Sequence, residues 1–192
     1  MFTTNTSAAK WISNNNIDFG QNCVFIGFDA DNFHYDDELT WDKALIAAMD
    51  TSGILKYSLV SYRFDKNKTI NREDVALLAG KYIEFCEDFL LNDGKKSVGS
   101  NLNVVMNQFT FVEKHEIWER LKNTGFNIIW LPPLSTLNPL EELWHSLNHL
   151  SLRENSSDDV NEIIHDMICS VDGAFAKSTI DGAAKNVKEL LN

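Results

Sequence analysis

Between Asn22 and Asp29 the chain runs Cys-Val-Phe-Ile-Gly-Phe, with no charge and no polar amide. Apolar residues on both parities leave no face for water, so Cys23–Phe28 reads as a strand buried within a sheet. The segments around it supply the remaining strands and the covering layers. Lys43–Met49 and Ile54–Tyr62 are two further apolar runs flanking Asp50-Thr-Ser-Gly53, whose glycine predicts a β-hairpin. Three early strands joined in this way form an antiparallel meander.

Downstream, strands and helices alternate. Asn71 is a good N-cap, Glu73 and Asp74 suit the positive first turn, and Val75, Leu78, Tyr82, Phe85 and Phe89 recur at helical spacing up to Asn92-Asp-Gly94. A Lys/Ser/Gly loop leads to a short strand over Leu102–Met106. Thr110 can cap a helix running to about Asn123, with Gly125 as its stop. Phe126–Leu131 is another buried strand, closed by Pro132-Pro133. Pro139 suits a first helical position, opening a helix to about Leu150 with Leu140, Leu143, Trp144 and Leu147 on its apolar face. Amphipathic segments over about Val160–Cys169 and Ala174–Leu191 finish the chain, and residues 1–20 are polar and Asn-rich, a loose arm or short packed extension. This order predicts an α/β fold: a mixed sheet, with right-handed crossovers between its parallel strands, lying between helical layers.

Composition narrows the function. The 192 residues carry 17 Lys+Arg against 28 Asp+Glu, a formal net charge of −11. Phosphate contacts need a basic surface, so this balance argues against a free-standing nucleic-acid binder. Cys23, Cys86 and Cys169 are far apart and form no Cys-x-x-Cys pair, which excludes a disulfide scaffold or zinc ribbon. An intracellular, reducing location is expected. The run Ala44–Met49 is far short of the ~20 residues of a membrane span.

The stretch Asn127-Ile-Ile-Trp-Leu-Pro-Pro-Leu-Ser-Thr-Leu-Asn-Pro-Leu-Glu-Glu-Leu-Trp144 resembles the signature of mariner-type DDE transposases and their insertion-sequence relatives. In those proteins a strand ends in Leu-Pro-Pro-Tyr-Ser-Pro-x-Leu-Asn-Pro, and a helix follows with an early Glu and a Trp. Leu131, Pro132, Pro133, Ser135, Leu137, Asn138, Pro139, Glu141 and Trp144 all agree. The resemblance extends from about Cys23 to Leu150 and leaves out the region before residue 20, where the family carries helix-turn-helix modules. It implies an RNase H-like domain over residues 21–151, with a five-stranded sheet of three antiparallel strands and then two parallel ones. A polar N-terminal arm over 1–20 and a C-terminal helical extension over 152–192, packing on the same domain, complete the expected organisation.

The resemblance also implies chemistry: three carboxylates holding two Mg²⁺ ions, which activate a nucleophile and stabilise a leaving oxygen at a phosphodiester. Asp29, closing its strand with Phe33 beyond it, matches the first acid, and Glu141 matches the third. The position of the second falls in Val104-Val105-Met106-Asn107-Gln108, with 33 residues between Asn107 and Glu141 as in the family. Here the acid has become an amide, and the family's downstream His is also absent, with Val112 in its neighbourhood. At an effective dielectric near 20, one negative charge about 4 Å from a +2 ion is worth about 8 kcal/mol before desolvation. Losing it is expected to disable two-metal catalysis and leave Asp29, Asn107 and Glu141 as ancestral positions only.

Each site has a plainer reading. Asp31, Asp36, Asp37 and Glu38 fit a solvated loop, and Glu141 and Glu142 suit a helix start without any metal. Asp31 and Glu142 are the vestigial candidates that could replace the lost ligand. Glu141, His145 and His149 fall at i, i+4 and i+8 on one face, a stripe that suits a polar face better than zinc. His34, His115 and His165 stand singly. Trp118, Trp130 and Trp144 suit the core rather than base stacking. The clusters Lys56, Arg63, Lys66, Lys68, Arg72 and Lys95, Lys96 are small and partly offset by acids.

The expected function is therefore a transposase-derived domain without nuclease activity, serving as an interaction or assembly subunit of a DNA-associated or chromatin complex. It would be nuclear in a eukaryote, bind DNA weakly or indirectly, need no cofactor and be free to self-associate. The alternative is an active Mg²⁺-dependent endonuclease or transposase catalytic domain that relies on a partner for DNA binding. A third reading is a DNA mimic presenting its acidic surface to a basic protein.

Overall fold

Both parities of β1 (Cys23–Asp29) are buried along its whole length, and the sheet built around that strand accounts for it. The computed structural model describes residues 4–29, 41–63, 72–94, 102–108, 119–133, 135–151 and 160–192. Within these, β2 (Trp41–Asp50) and β3 (Gly53–Arg63) form the hairpin, while β4 (Asn103–Asn107) and β5 (Asn127–Leu131) are the later strands. The order is β3-β2-β1-β4-β5. The β1–β2 and β2–β3 pairs are antiparallel, and β1–β4 and β4–β5 are parallel. This is the expected mixed sheet, with the all-apolar strand at its centre. Asp50 Oδ1 accepts from the Ser52 amide at 2.7 Å in the hairpin turn, and Gly53 follows at φ +126°, a conformation a side chain would strain.

Strand alternation divides the core in two. Val24, Ile26 and Phe28, with Ala44, Ile46, Ala48, Val104 and Met106, face α2 (Arg72–Asp88) through Leu78, Tyr82, Phe85 and Cys86. A wide π-type turn, Phe89–Gly94, ends that helix. On the other face Phe25, Leu45, Ala47, Met49, Val105, Ile129 and Leu131 meet four helices. These are α1 (Asn5–Asn14), α3 (Pro139–Ser151), α4 (Val160–Cys169) and α5 (Gly173–Glu189). The C-terminal helices thus belong to the same core. None of the helices among the described residues is long and apolar enough to cross a membrane.

Of the two readings of residues 1–20, a loose arm or a short packed extension, the described part from Thr4 takes the second form. Thr4 and Ser7 form a reciprocal capping box, and Ala8, Ala9 and Ile12 are buried. Short side chains, rather than a long apolar stripe, let α1 pack closely, which is why its helical character is faint in the sequence. The Asn71 cap and the helix from Thr110 lie outside the described residues, apart from a final turn that closes over Lys122–Thr124 before Gly125.

Candidate functional site

The site forms where the C-terminal ends of β1 and β4 meet the first turn of α3. β1 and β4 are adjacent and parallel, with Ile26 opposite Met106. Their last residues, Asp29 and Asn107, therefore emerge at the same end of the sheet. Both share the parity of Phe25 and Val105, so both point to the α3 face, and both are buried.

The double-proline segment brings α3 to that spot. Asn138, itself buried, donates from Nδ2 to the Ile26 carbonyl at 3.1 Å and accepts the Leu140 amide at Oδ1, also at 3.1 Å. One side chain thus anchors the loop on β1 and caps the helix. Ser135 donates to Asn5 Oδ1 at 2.7 Å, and Asn186 of α5 donates to the Thr136 carbonyl at 3.2 Å, tying the loop to α1 and α5. Gly27 permits the final approach: a Cβ there would lie 2.8 Å from Leu140 Cδ1. Pro139 begins the helix, and Glu141 enters its first turn.

Asn107 Nδ2 donates to Glu141 Oε1 in a short contact. The amide orientation follows from chemistry, because turning Oδ1 toward the carboxylate would set two acceptors against each other. The remaining oxygen, Asn107 Oδ1, is buried with no hydrogen-bond partner among the described residues. Burial, and then the charge of Asp29, push the Glu141 carboxyl up to about 7 against the opposing pull of the Asn107 hydrogen bond. Near neutral pH this cluster holds a proton readily. Beside it, a cleft of about 310 Å³ opens between α3 and α5, lined by Glu141, Glu142, His145 and Asn186 among others.

The structure therefore gathers Asp29, Asn107 and Glu141 and leaves Glu142 apart. Glu142 is exposed, and its Oε2 lies 3.4 Å from where a Gly182 Cβ of α5 would stand. Asp31, Asp36, Asp37, Glu38, His34, His115, Phe33, Val112, Trp118, Lys66, Lys68, Lys95 and Lys96 lie outside the described residues, as do the side chains of Arg63, Arg72 and His149. Trp130 and Trp144 are buried in the core. Sequence reasoning missed the anchoring role of Asn138. Its signal was an Asn directly before a Pro at a helix start, a capping position.

No protein-family model and no curated protein matches the sequence. Solved structures do. The Mos1 transposase catalytic domain with Raltegravir and Mg superposes at a TM-score of 0.71 with 13% identity, covering 97% of this chain and 90% of that one. The catalytic domain of Mos1 mariner transposase gives 0.70 and 13%, covering 97% and 89%. A pre-cleavage Mos1 transpososome gives 0.68 and 12%, covering 97% of this chain and 60% of that one. This chain has the mariner transposase catalytic fold. At such identity the likeness is one of architecture, so the chemistry must be judged on the residues themselves.

Among the described residues, the donor set at this cluster falls short of the pair of divalent ions that the resemblance implies. Two-ion binding draws on three anionic ligands, whereas the cluster offers two carboxylates and an amide. The amide's N–H is turned onto the Glu141 oxygen that a cation would need. Among the described residues no group of three His, Cys, Asp or Glu side chains is arranged to hold a metal.

Proposed function

We propose that this protein is a transposase-derived domain that has lost two-metal nuclease activity and works as a protein-interaction subunit of a DNA-associated assembly. The observation carrying this reading is the Asn107–Glu141 hydrogen bond, in which an amide donor occupies the place of an anion and satisfies the acid it once stood beside. Charge supports it. The chain carries −11, and Lys56, Lys81, Arg120, Lys122 and Lys185 each already face a carboxylate. Cations engaged in this way make a poor grip on a phosphate backbone.

The reading is tested by incubating the protein with labelled duplex DNA in Mg²⁺ and then Mn²⁺. The expected result is uncut DNA in both. Cleavage that disappears in Asp29→Ala and Glu141→Ala variants would overturn the proposal and restore a working nuclease.

A further inference from the structure

A second cluster of reactive side chains lies on α4, an element that carries no part of the Asp29–Asn107–Glu141 site. His165 and Cys169 stand one helical turn apart, and both are exposed. Cys169 Sγ lies 3.6 Å from His165 Nε2 and 3.8 Å from Nδ1, so the sulfur rests against the ring as a whole. Tyr57 Oη of β3 makes a short hydrogen bond with Nδ1, and the two rings lie 6.0 Å apart, centroid to centroid. With Nδ1–H donating to Oη, the phenol holds the imidazole in place and leaves Nε2 as the nitrogen open to the thiol proton.

We propose that Cys169 is the reactive thiol of this chain and exchanges with small neutral or cationic disulfides, His165 taking its proton. Proton transfer from Sγ to Nε2 sets a thiolate beside an imidazolium. Their attraction acts over the observed separation and does not require the sulfur to sit on one nitrogen's lone pair. Glu162 and Asp166, both exposed, stand one turn before His165 and Cys169. They favour the imidazolium and oppose the thiolate, as do the carbonyls at the C-terminal end of α4, where Cys169 is the last residue. Against them stands a full positive charge in direct contact with the sulfur.

In the exchange the thiolate attacks one sulfur of the disulfide. The S–S bond breaks, a new bond joins Cys169 to that half, and the other half leaves as a thiolate that takes up the proton. Cys169 is oxidised and the leaving half is reduced, so no further oxidant is needed. The net charge of −11 repels anionic disulfides, which sets the preference for neutral or cationic ones. The other cysteines cannot compete. Cys23 and Cys86 are buried, and burial pushes the Cys23 thiol up to about 12 and raises that of Cys86 as well.

The test treats the reduced, full chain near pH 6 with dithiodipyridine, a neutral disulfide whose released thione is read by absorption. Expected is reaction of a single thiol, placed on Cys169 by mass spectrometry, at about five times the rate of free glutathione. His165→Asn should bring that rate down to the glutathione level, while all three thiols still react in denaturant. Relative to their rates with free glutathione, cystamine, a cationic disulfide, should outpace glutathione disulfide, and salt should narrow the gap. A rate no faster than glutathione, a rate unchanged by His165→Asn, first modification at Cys23 or Cys86, or equal relative rates with the two disulfides would each overturn the proposal.

Discussion

Asn107 and Glu141 are best understood as a pair. A carboxyl pushed up to about 7 in the folded protein titrates near 4.5 when the chain unfolds. Between those values the native state holds the extra proton, so the stability this group contributes is fully present below about pH 4.5 and is lost as pH rises toward 7. We therefore expect Glu141→Gln to stabilise the protein at pH 8, by on the order of 2 kcal/mol after allowing for partial exposure, and to flatten its pH dependence. Urea denaturation at pH 5 and pH 8 measures this, and a steeper dependence in the variant would contradict it. Asn107→Asp places a third carboxylate in the cluster. Without metal it should lower stability at pH 8 by about 1–3 kcal/mol, because like charges converge in a buried site. It should also raise Mn²⁺ affinity at least tenfold, about 1.4 kcal/mol. Calorimetry that shows equal Mn²⁺ binding by the variant and the natural chain would mean the pocket no longer gathers ions. Glu141 is marked in the sequence by the run of prolines and Asn before it, whereas Asp29 and Asn107 are picked out only as the ends of apolar strands. The Asn107–Glu141 bond was not legible, since it joins residues on separate elements.

At the scale of elements, the join between β1 and α3 decides whether the site exists. Asn138 holds both ends of that join, and Gly27 makes the space for it. Asn138→Ala removes a helix cap and leaves the buried Ile26 carbonyl without its donor, a combined cost of about 2–4 kcal/mol. Gly27→Ala drives a methyl group into Leu140 and should cost about 1–3 kcal/mol. Because an added Cβ would also lie 2.9 Å from Leu140 Cβ, pairing it with Leu140→Gly, which removes that atom, should cost less than the sum of the two single changes. Additive losses in denaturant melts would show that the close approach is not what requires the glycine. Strands and most helices could be read from apolar periodicity, which is strongest where both faces are covered, as in β1. The helix α1 was harder to read: Ala8 and Ala9 bury through smallness, and only the Thr4–Ser7 cap marks its start.

Across the whole molecule, the sheet order brings two strand ends and one helix start together, in a fold shared with the mariner transposase catalytic domain. At that point of convergence an amide, Asn107, is hydrogen-bonded to the Glu141 carboxyl group. On the function proposed above, a scaffold carrying −11 and an amide among its acids holds partners rather than cutting a duplex. The most direct measurement is a Mn²⁺ titration of the natural chain by calorimetry, repeated on Asp29→Ala. The account predicts no saturable binding below millimolar Mn²⁺ and no difference between the two proteins. Two ions bound at micromolar concentration, both lost in Asp29→Ala, would contradict it.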